Sequence, residues 1–222
     1  MRNWHPFLED TLIEMSSAGV RRVLALTLAA HHSYSSCGQY KQNLIQARRH
    51  LRSETKLDVE LTYVAGWHDH KNFIKANAHQ INKALNTLAP ALRAKAKVVF
   101  TAHSIPQAMA NESRYEADLR ESAVLIANEL GQSDWALVYQ SRSGQPQQPW
   151  LEPDVCDYLS IERGRGLKAV VLSPLGFVAD HIEVLYDLDY EANTTCKEIG
   201  LVMRRAAAVN DHPLFLDMLA DV

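Results

Sequence analysis

Apolar residues along the 222-residue chain fall into two alternating rhythms. Phe7, Leu8, Leu12, Ile13 and Met15 recur at helical spacing over residues 6–18, and Gly19 is placed to end that helix. Residues 21–30 then carry the unbroken apolar run Val23-Leu24-Ala25-Leu26-Thr27-Leu28, the pattern of a strand buried on both faces. The alternation repeats: it predicts helices over 38–52, 71–88, 114–130, 152–162, 180–199 and 213–220, and strands over 59–65, 96–102, 135–140, 169–174 and 201–206. Gly131, and Gly164 with Gly166, stand where two of the helices stop.

Strand–helix alternation of this kind specifies an α/β fold with parallel sheets joined by right-handed crossovers. Such sheets bind ligands at the carboxyl ends of their strands. The polar motifs sit there: His31-His32-Ser33, Trp67-His68, His103-Ser104, Gln140-Ser141-Arg142 and Asp180-His181 each follow a predicted strand. Only two strands precede the break near Pro90, and the chain opens on a helix, whereas a complete half-sheet of this type holds about three strands and opens on one. The expected organisation is therefore an incomplete N-terminal domain, 1–95, and a C-terminal domain, 96–222, whose last helix packs back on the first. The polar stretch Gly144–Pro149 reads as a loop within a domain.

Composition narrows the partners. A formal net charge of −3 and the absence of a basic tract argue against nucleic acid. No apolar run reaches the roughly 20 residues that span a bilayer, and Met1–Pro6 has no apolar signal region. Cys37, Cys156 and Cys196 form no Cys-x-x-Cys pair, which fits a reducing cytoplasm and no structural zinc. Several of the ten histidines, such as His68, His70 and His79, read as solvent-exposed.

Candidate chemistry concentrates in residues 176–191, which carry five carboxylates and one histidine. Glu183, Asp187 and Glu191 are spaced i, i+4, i+8, so a helix stacks them on one face, where like charges repel unless a cation sits beside them. Hard oxygen ligands suit Mg²⁺ or Fe²⁺. The alternative is a solvated helix face. His103, at the end of a strand and ahead of Pro106, is placed for acid–base work or metal ligation; the alternative is a loop histidine bonded to backbone. Arg142 reads as an exposed turn residue in preference to a carboxylate clamp. His31 and His32 are undecided between supporting and exposed roles, and Asp180 and His181 read as helix-capping residues. Gly-x-x-x-x-Gly-Lys-Ser/Thr, Gly-x-Gly-x-x-Gly, His-Glu-x-x-His and Gly-x-Ser-x-Gly are all absent, so nucleotide binding, zinc proteolysis and a hydrolase elbow have no support.

Four motifs, in order, resemble the ferrochelatase family: Thr101-Ala102-His103-Ser104-Ile105-Pro106, Tyr139-Gln140-Ser141-Arg142, Gly176-Phe177-Val178-Ala179-Asp180-His181-Ile182-Glu183-Val184-Leu185-Tyr186-Asp187, and Asn210-Asp211 followed by Pro213-Leu214-Phe215. The third is nearest to the wording of the bacterial coproporphyrin ferrochelatases. The resemblance covers the chain from Trp4 onward. The family's N-terminal segment, with its opening strand and part of its porphyrin pocket, has no counterpart here, and Ala30 stands where the family usually has proline.

The resemblance implies two Rossmann-like, chelatase-type domains with a porphyrin cleft between them, the N-terminal one incomplete. It implies insertion of Fe²⁺, a substrate, into a porphyrin, most simply coproporphyrin III, in heme biosynthesis. His103 and Glu183 would be the catalytic pair, His103 accepting a pyrrole proton or ligating the metal. The metal would meet His103 and Glu183, with Asp187 and Glu191 as an outer path that also admits Mg²⁺. No iron–sulfur cluster is expected, since its C-terminal cysteines are missing. A monomer is expected, with dimerisation through an exposed sheet edge as the alternative. The competing functions are a catalytically incomplete fragment that binds metal and tetrapyrrole, and a related cobalt or nickel chelatase.

Overall fold

The computed structural model describes residues 4–64, 66–145 and 147–222. Met1–Asn3, Ala65 at the end of the second predicted strand, and Pro146 in the predicted loop lie outside the described residues. The chain forms two compact units, Met1–Gly66 and Trp67–Val222. This division falls earlier than the expected cut between residues 95 and 96.

The first unit contains helix α1 (Leu8–Ser17), strand β1 (Arg22–Leu26), a single π-helical turn at Tyr34–Gly38, helix α2 (Gln39–Thr55) and strand β2 (Glu60–Val64). β1 and β2 pair in parallel, Arg22 opposite Glu60 through Leu26 opposite Val64. Leu12, Ala47, Leu51 and Val59 form its small core. The expectation that β1 is buried on both faces is corrected: Leu24 is 63% and Leu28 56% exposed. β1 has one neighbouring strand among the described residues, and α1 and α2 pack on each other. A continuous apolar run thus marks a strand whose second face this unit does not cover.

The second unit opens with helix α3 (Lys71–Leu85) and the short helix α4 (Pro90–Arg93). Strand β3 (Lys97–His103), the one-turn helix α5 (Gln107–Asn111), helix α6 (Tyr115–Leu130), strand β4 (Trp135–Gln140), helix α7 (Val155–Gly164) and strand β5 (Ala169–Ser173) follow. A continuous helical segment comes next: α8 (Ile182–Val184), a π-helix at Leu185–Ala192, and α9 (Asn193–Glu198). Strand β6 (Val202–Arg205) and helix α10 (Pro213–Asp221) complete it. The sheet order is β4-β3-β5-β6, all parallel. All five residues of β5 and the five central residues of β3 are buried, as a strand covered on both faces requires.

α3 belongs with this second unit for a packing reason. Phe73, Ile74, Ala76, Asn77, Ala78, Ile81 and Ala84 are buried along it, and the helix packs on α6 and α10. Trp67 stands edge-on to Phe73, ring centroids 5.3 Å apart, and close to Phe215 at 5.8 Å. His68 and His70, expected in solvent, are instead buried and half-buried. His70 caps α3, its Nδ1 accepting from the backbone N–H of Asn72 at 3.2 Å.

The sheet order locates the ligand-binding edge. From β3 the chain crosses to β4 on one side, and from β5 to β6 on the other, so the connections diverge between β3 and β5. In sheets of this type ligands bind at such a divergence, at the strands' carboxyl ends, and His103 and Gly176–Asp180 follow β3 and β5 there. Gly176 crosses β3 so closely that a Cβ on it would lie 2.6 Å from Ala102 Cβ and 2.7 Å from Ala102 Cα. Its N–H donates to Thr101 O at 3.0 Å.

Two predictions follow from this packing. Gly176→Ala forces the loop off β3, so denaturant titration should read a loss of about 1–3 kcal/mol, the usual cost of overpacking. At the start of α10, His212 Nδ1 accepts from the Leu214 N–H at 3.2 Å while its Nε2 lies 2.6 Å from His79 Nδ1. Burial, helped by the positive potential of His79 and Lys83, lowers the His212 pKa from 6.5. A histidine depressed in the folded state contributes stability that is complete above its unfolded pKa and lost as pH falls through the folded one. Thermal melts should therefore fall as pH drops below about 6.5, and His212→Asn, which keeps a capping side chain, should flatten that part of the profile.

Candidate active site and acidic helix

His103 ends β3 opposite Gln140 of β4. Its Nδ1 lies 2.5 Å from the carbonyl oxygen of Ser104. A carbonyl only accepts, so Nδ1 carries a proton, and in the neutral imidazole the lone pair is then on Nε2. The backbone is fixed from the other side by Tyr115, whose hydroxyl donates to His103 O at 3.0 Å. Burial raises the pKa of Tyr115, keeping it a donor. Phe177, delivered by the Gly176 crossing, stands with its ring 6.5 Å from the His103 ring and 5.0 Å from that of His181.

The turn after Phe177 is held by Asp180, which does not cap the helix as expected. The N-cap is His181, and it makes no side-chain cap bond. Asp180 instead accepts from Arg205 Nη1 at 2.8 Å, the Ala208 N–H at 3.0 Å and Asn210 Nδ2 at 3.0 Å. Asn210 answers by accepting the Asp180 N–H at 2.9 Å, and its own N–H donates to Val178 O at 2.9 Å. Asn210 sits at φ 45°, a left-handed conformation that asparagine tolerates better than most residues. Arg205 also reaches Asp189 on the π-helix, Nε to Oδ1 2.5 Å. This clasp accounts for the pairing of two distant motifs, Asp180 and Asn210.

Of the acidic stripe, Asp187 and Glu191 are borne on a π-helix and Glu183 on the α-helical turn before it. Val184, Leu188, Ala192 and Cys196 are buried in the main core, each one residue beyond an acid or its continuation. In an α-helix four residues overshoot one turn by about 40°, so stripes of period four spiral away. The wider turn of a π-helix, with i→i+5 bonds, removes that overshoot. The acids and the buried stripe thus stay in register.

Glu183, in the first turn of α8, is exposed, its Oε2 4.0 Å from His181 Nδ1. Asp187 is half-buried and accepts from Gln140 Nε2 at 3.1 Å and from the Ser141 hydroxyl. Ser141 holds φ 61°, a conformation rare outside glycine that aims its side chain at the π-helix. Glu191 lies beyond. Partial burial, then the charges of Asp187 and Asp154, lift its carboxyl above the ordinary range. Gln140, Ser141, Asp154, Cys156, Asp187 and Glu191 line an open cavity of about 410 Å³.

Asp187 and Glu191 therefore share one cavity. Among the described residues, no three of His103, Glu183, Asp187 and Glu191 bring ligand atoms within 4.8 Å of one another. Asp154 and Cys156 line the cavity without having been singled out from sequence. Asp154 had a readable signal as the N-cap of α7, accepting from the Cys156 N–H at 2.8 Å. Cys156 had none. Its thiol is raised by burial, which keeps it protonated, although Thr195 bonds to it. Arg142 is exposed and donates to Gln148 O at 3.0 Å, as a turn residue does. His31 is buried, with its carbonyl accepting from Ser36 Oγ at 3.1 Å.

The family model that matches residues 1–222 is described as ferrochelatase. A protein named ferrochelatase from Rhodopirellula baltica is 47% identical over 219 residues, 98% of this chain and 61% of its own length. A coproporphyrin III ferrochelatase from Mycolicibacterium vanbaalenii is 41% identical over 224 residues, 100% of this chain and 65% of its own length. The chain thus spans less than two thirds of these relatives. Among solved structures, SirB from Bacillus subtilis with Fe³⁺ aligns with a TM-score of 0.70 at 11% identity, covering 98% of this chain and 76% of that one. DR2241 from Deinococcus radiodurans aligns with a TM-score of 0.62 at 14% identity, covering 98% and 43%. These two likenesses concern the fold.

Glu191 yields a signed prediction. A carboxyl raised in the folded state favours folding below its unfolded pKa and opposes it as pH rises through the folded one. Glu191→Gln should raise the melting temperature at pH 7, and the gain over the parent should vanish by about pH 4. Added Mg²⁺ should raise the melting temperature of the parent and not of the variant.

Proposed function

The chain belongs to the ferrochelatase family, and from that premise we propose that it inserts Fe²⁺ into a porphyrin in heme biosynthesis, with coproporphyrin III as the substrate. The observation that carries this reading is the His103 imidazole. Its Nδ1 is committed to the Ser104 carbonyl and its Nε2 lone pair is presented at the divergence between β3 and β5. The choice of coproporphyrin rests on the wording of residues 176–187 and on relatives named for that substrate.

Insertion replaces two pyrrole N–H protons by one Fe²⁺ and releases both protons. His103 Nε2 has one lone pair, so it either takes a pyrrole proton or ligates the incoming ion. Glu183, in the turn that follows Phe177, is its partner and the acceptor for the second proton. Asp187 and Glu191 replace waters of hydrated Fe²⁺ on its way in, and Mg²⁺ occupies the same outer carboxylates when iron is absent. Gln140 and Ser141 hold Asp187 as an acceptor-only carboxylate. The reaction is placed in the cytoplasm, which suits three free cysteines; among the described residues no helix is long and apolar enough to cross a membrane.

His103→Ala should lower Fe²⁺ insertion by at least the ~10²-fold that a general base contributes, with the far-UV circular dichroism unchanged. Insertion near the parent rate would remove His103 from the site. Run with coproporphyrin and protoporphyrin, the same assay reads substrate choice. Binding of porphyrin and ion by the parent without turnover would select the alternative of a catalytically incomplete piece. Turnover confined to Co²⁺ or Ni²⁺ and a sirohydrochlorin-type ring would select a related chelatase.

A further inference from the structure

A second group of ligating side chains lies away from the acidic helix. His68 Nε2 is 3.1 Å from Glu121 Oε2 and 3.7 Å from Asp118 Oδ1. One ligand atom each from His68, Asp69 and Glu121 lie mutually within 4.8 Å. Two ligands each about 2.1 Å from one ion, at a near-right angle, stand about 3 Å apart, which is the His68–Glu121 separation.

Charge and rigidity point the same way. Asp118 is fully buried and Glu121 half-exposed, and both face Arg114, at 3.0 Å and 3.9 Å. With Asp69, three carboxylates gather beside one imidazole. The imidazole is also held in place. Ser122 Oγ donates to His68 O at 2.7 Å, the His70 N–H donates to Trp67 O at 3.2 Å, and Trp67 is wedged between Phe73 and Phe215. Asp118 and Glu121 come from successive positions on one face of α6. These are features of a site set before its ion arrives.

We propose that His68, Asp69 and Glu121 bind a divalent first-row transition ion, with Asp118 supplying buried negative charge beside it. One imidazole nitrogen among carboxylate oxygens favours Fe²⁺, Co²⁺ or Zn²⁺ over Mg²⁺. Tyr115, one turn before Asp118 on α6, bonds the carbonyl of His103, so the occupied site braces the helix that holds His103.

Equilibrium dialysis with Co²⁺, carried out in the Asp187→Asn, Glu191→Gln protein to remove the outer carboxylates, tests the assignment. Glu121→Gln in that background should lose one bound Co²⁺ per chain, or weaken it by more than the roughly tenfold that loss of an outer-shell partner costs. Parent stoichiometry and affinity in Glu121→Gln overturn the proposal. Should Glu121→Gln fail to fold by circular dichroism, Asp69→Asn, at an exposed position, decides by the same criterion.

Discussion

The contact between Gly176 and Ala102 sets the geometry on which the candidate site depends. Two adjacent parallel strands leave the sheet in opposite directions here, and the chain leaving β5 must pass over the end of β3. It passes at backbone distance, with an N–H···O bond to Thr101 and no room for a side chain. Because the crossing is this close, Phe177 arrives beside His103, shortly before the helix carrying the acids begins. A larger residue would lift the whole segment away from the histidine.

Beyond that crossing, two separate devices hold the segment. Polar bonds from Asp180 to Arg205, Ala208 and Asn210 fix the turn, and apolar burial of Val184, Leu188 and Ala192 fixes the helix. The acids are left on the boundary between these, exposed enough to exchange a ligand and close enough to the sheet for Asp187 to bond Gln140 and Ser141. Asp180 is thus a structural residue, bonded to Arg205, Ala208 and Asn210, in the same motif as the acids of the stripe.

Most of the second unit was legible in sequence because its central strands are buried on both faces and its helices on one. Val98–Ala102 and Ala169–Ser173 announce themselves by composition alone. β1 misled for the same reason: its apolar run reports what the strand is suited to bury, whereas Leu24 and Leu28 stand in the open. His68 looked exposed because polar neighbours flank it, and only the packing of Trp67 against Phe73 and Phe215 draws it inward. The placement of His103 and the stripe of acids was readable from position and spacing. The partners that orient them, Ser141 in a left-handed conformation and Tyr115 from α6, come from segments whose meeting no local pattern encodes.

The winding at Leu185–Ala192 makes the alignment of the acids a property of helix pitch as well as of their spacing in sequence. A π-helix is an α-helix carrying surplus length, and it survives because the buried stripe of period four prefers it. Removing one residue there would leave every carboxylate present and every charge unchanged. It would restore α-helical winding, in which positions four apart drift by about 40°, so the acids and the buried stripe would no longer stay in register. The cavity would be dismantled by a change that no inspection of its lining residues would flag, which makes the length of this segment, and not only its composition, part of the site.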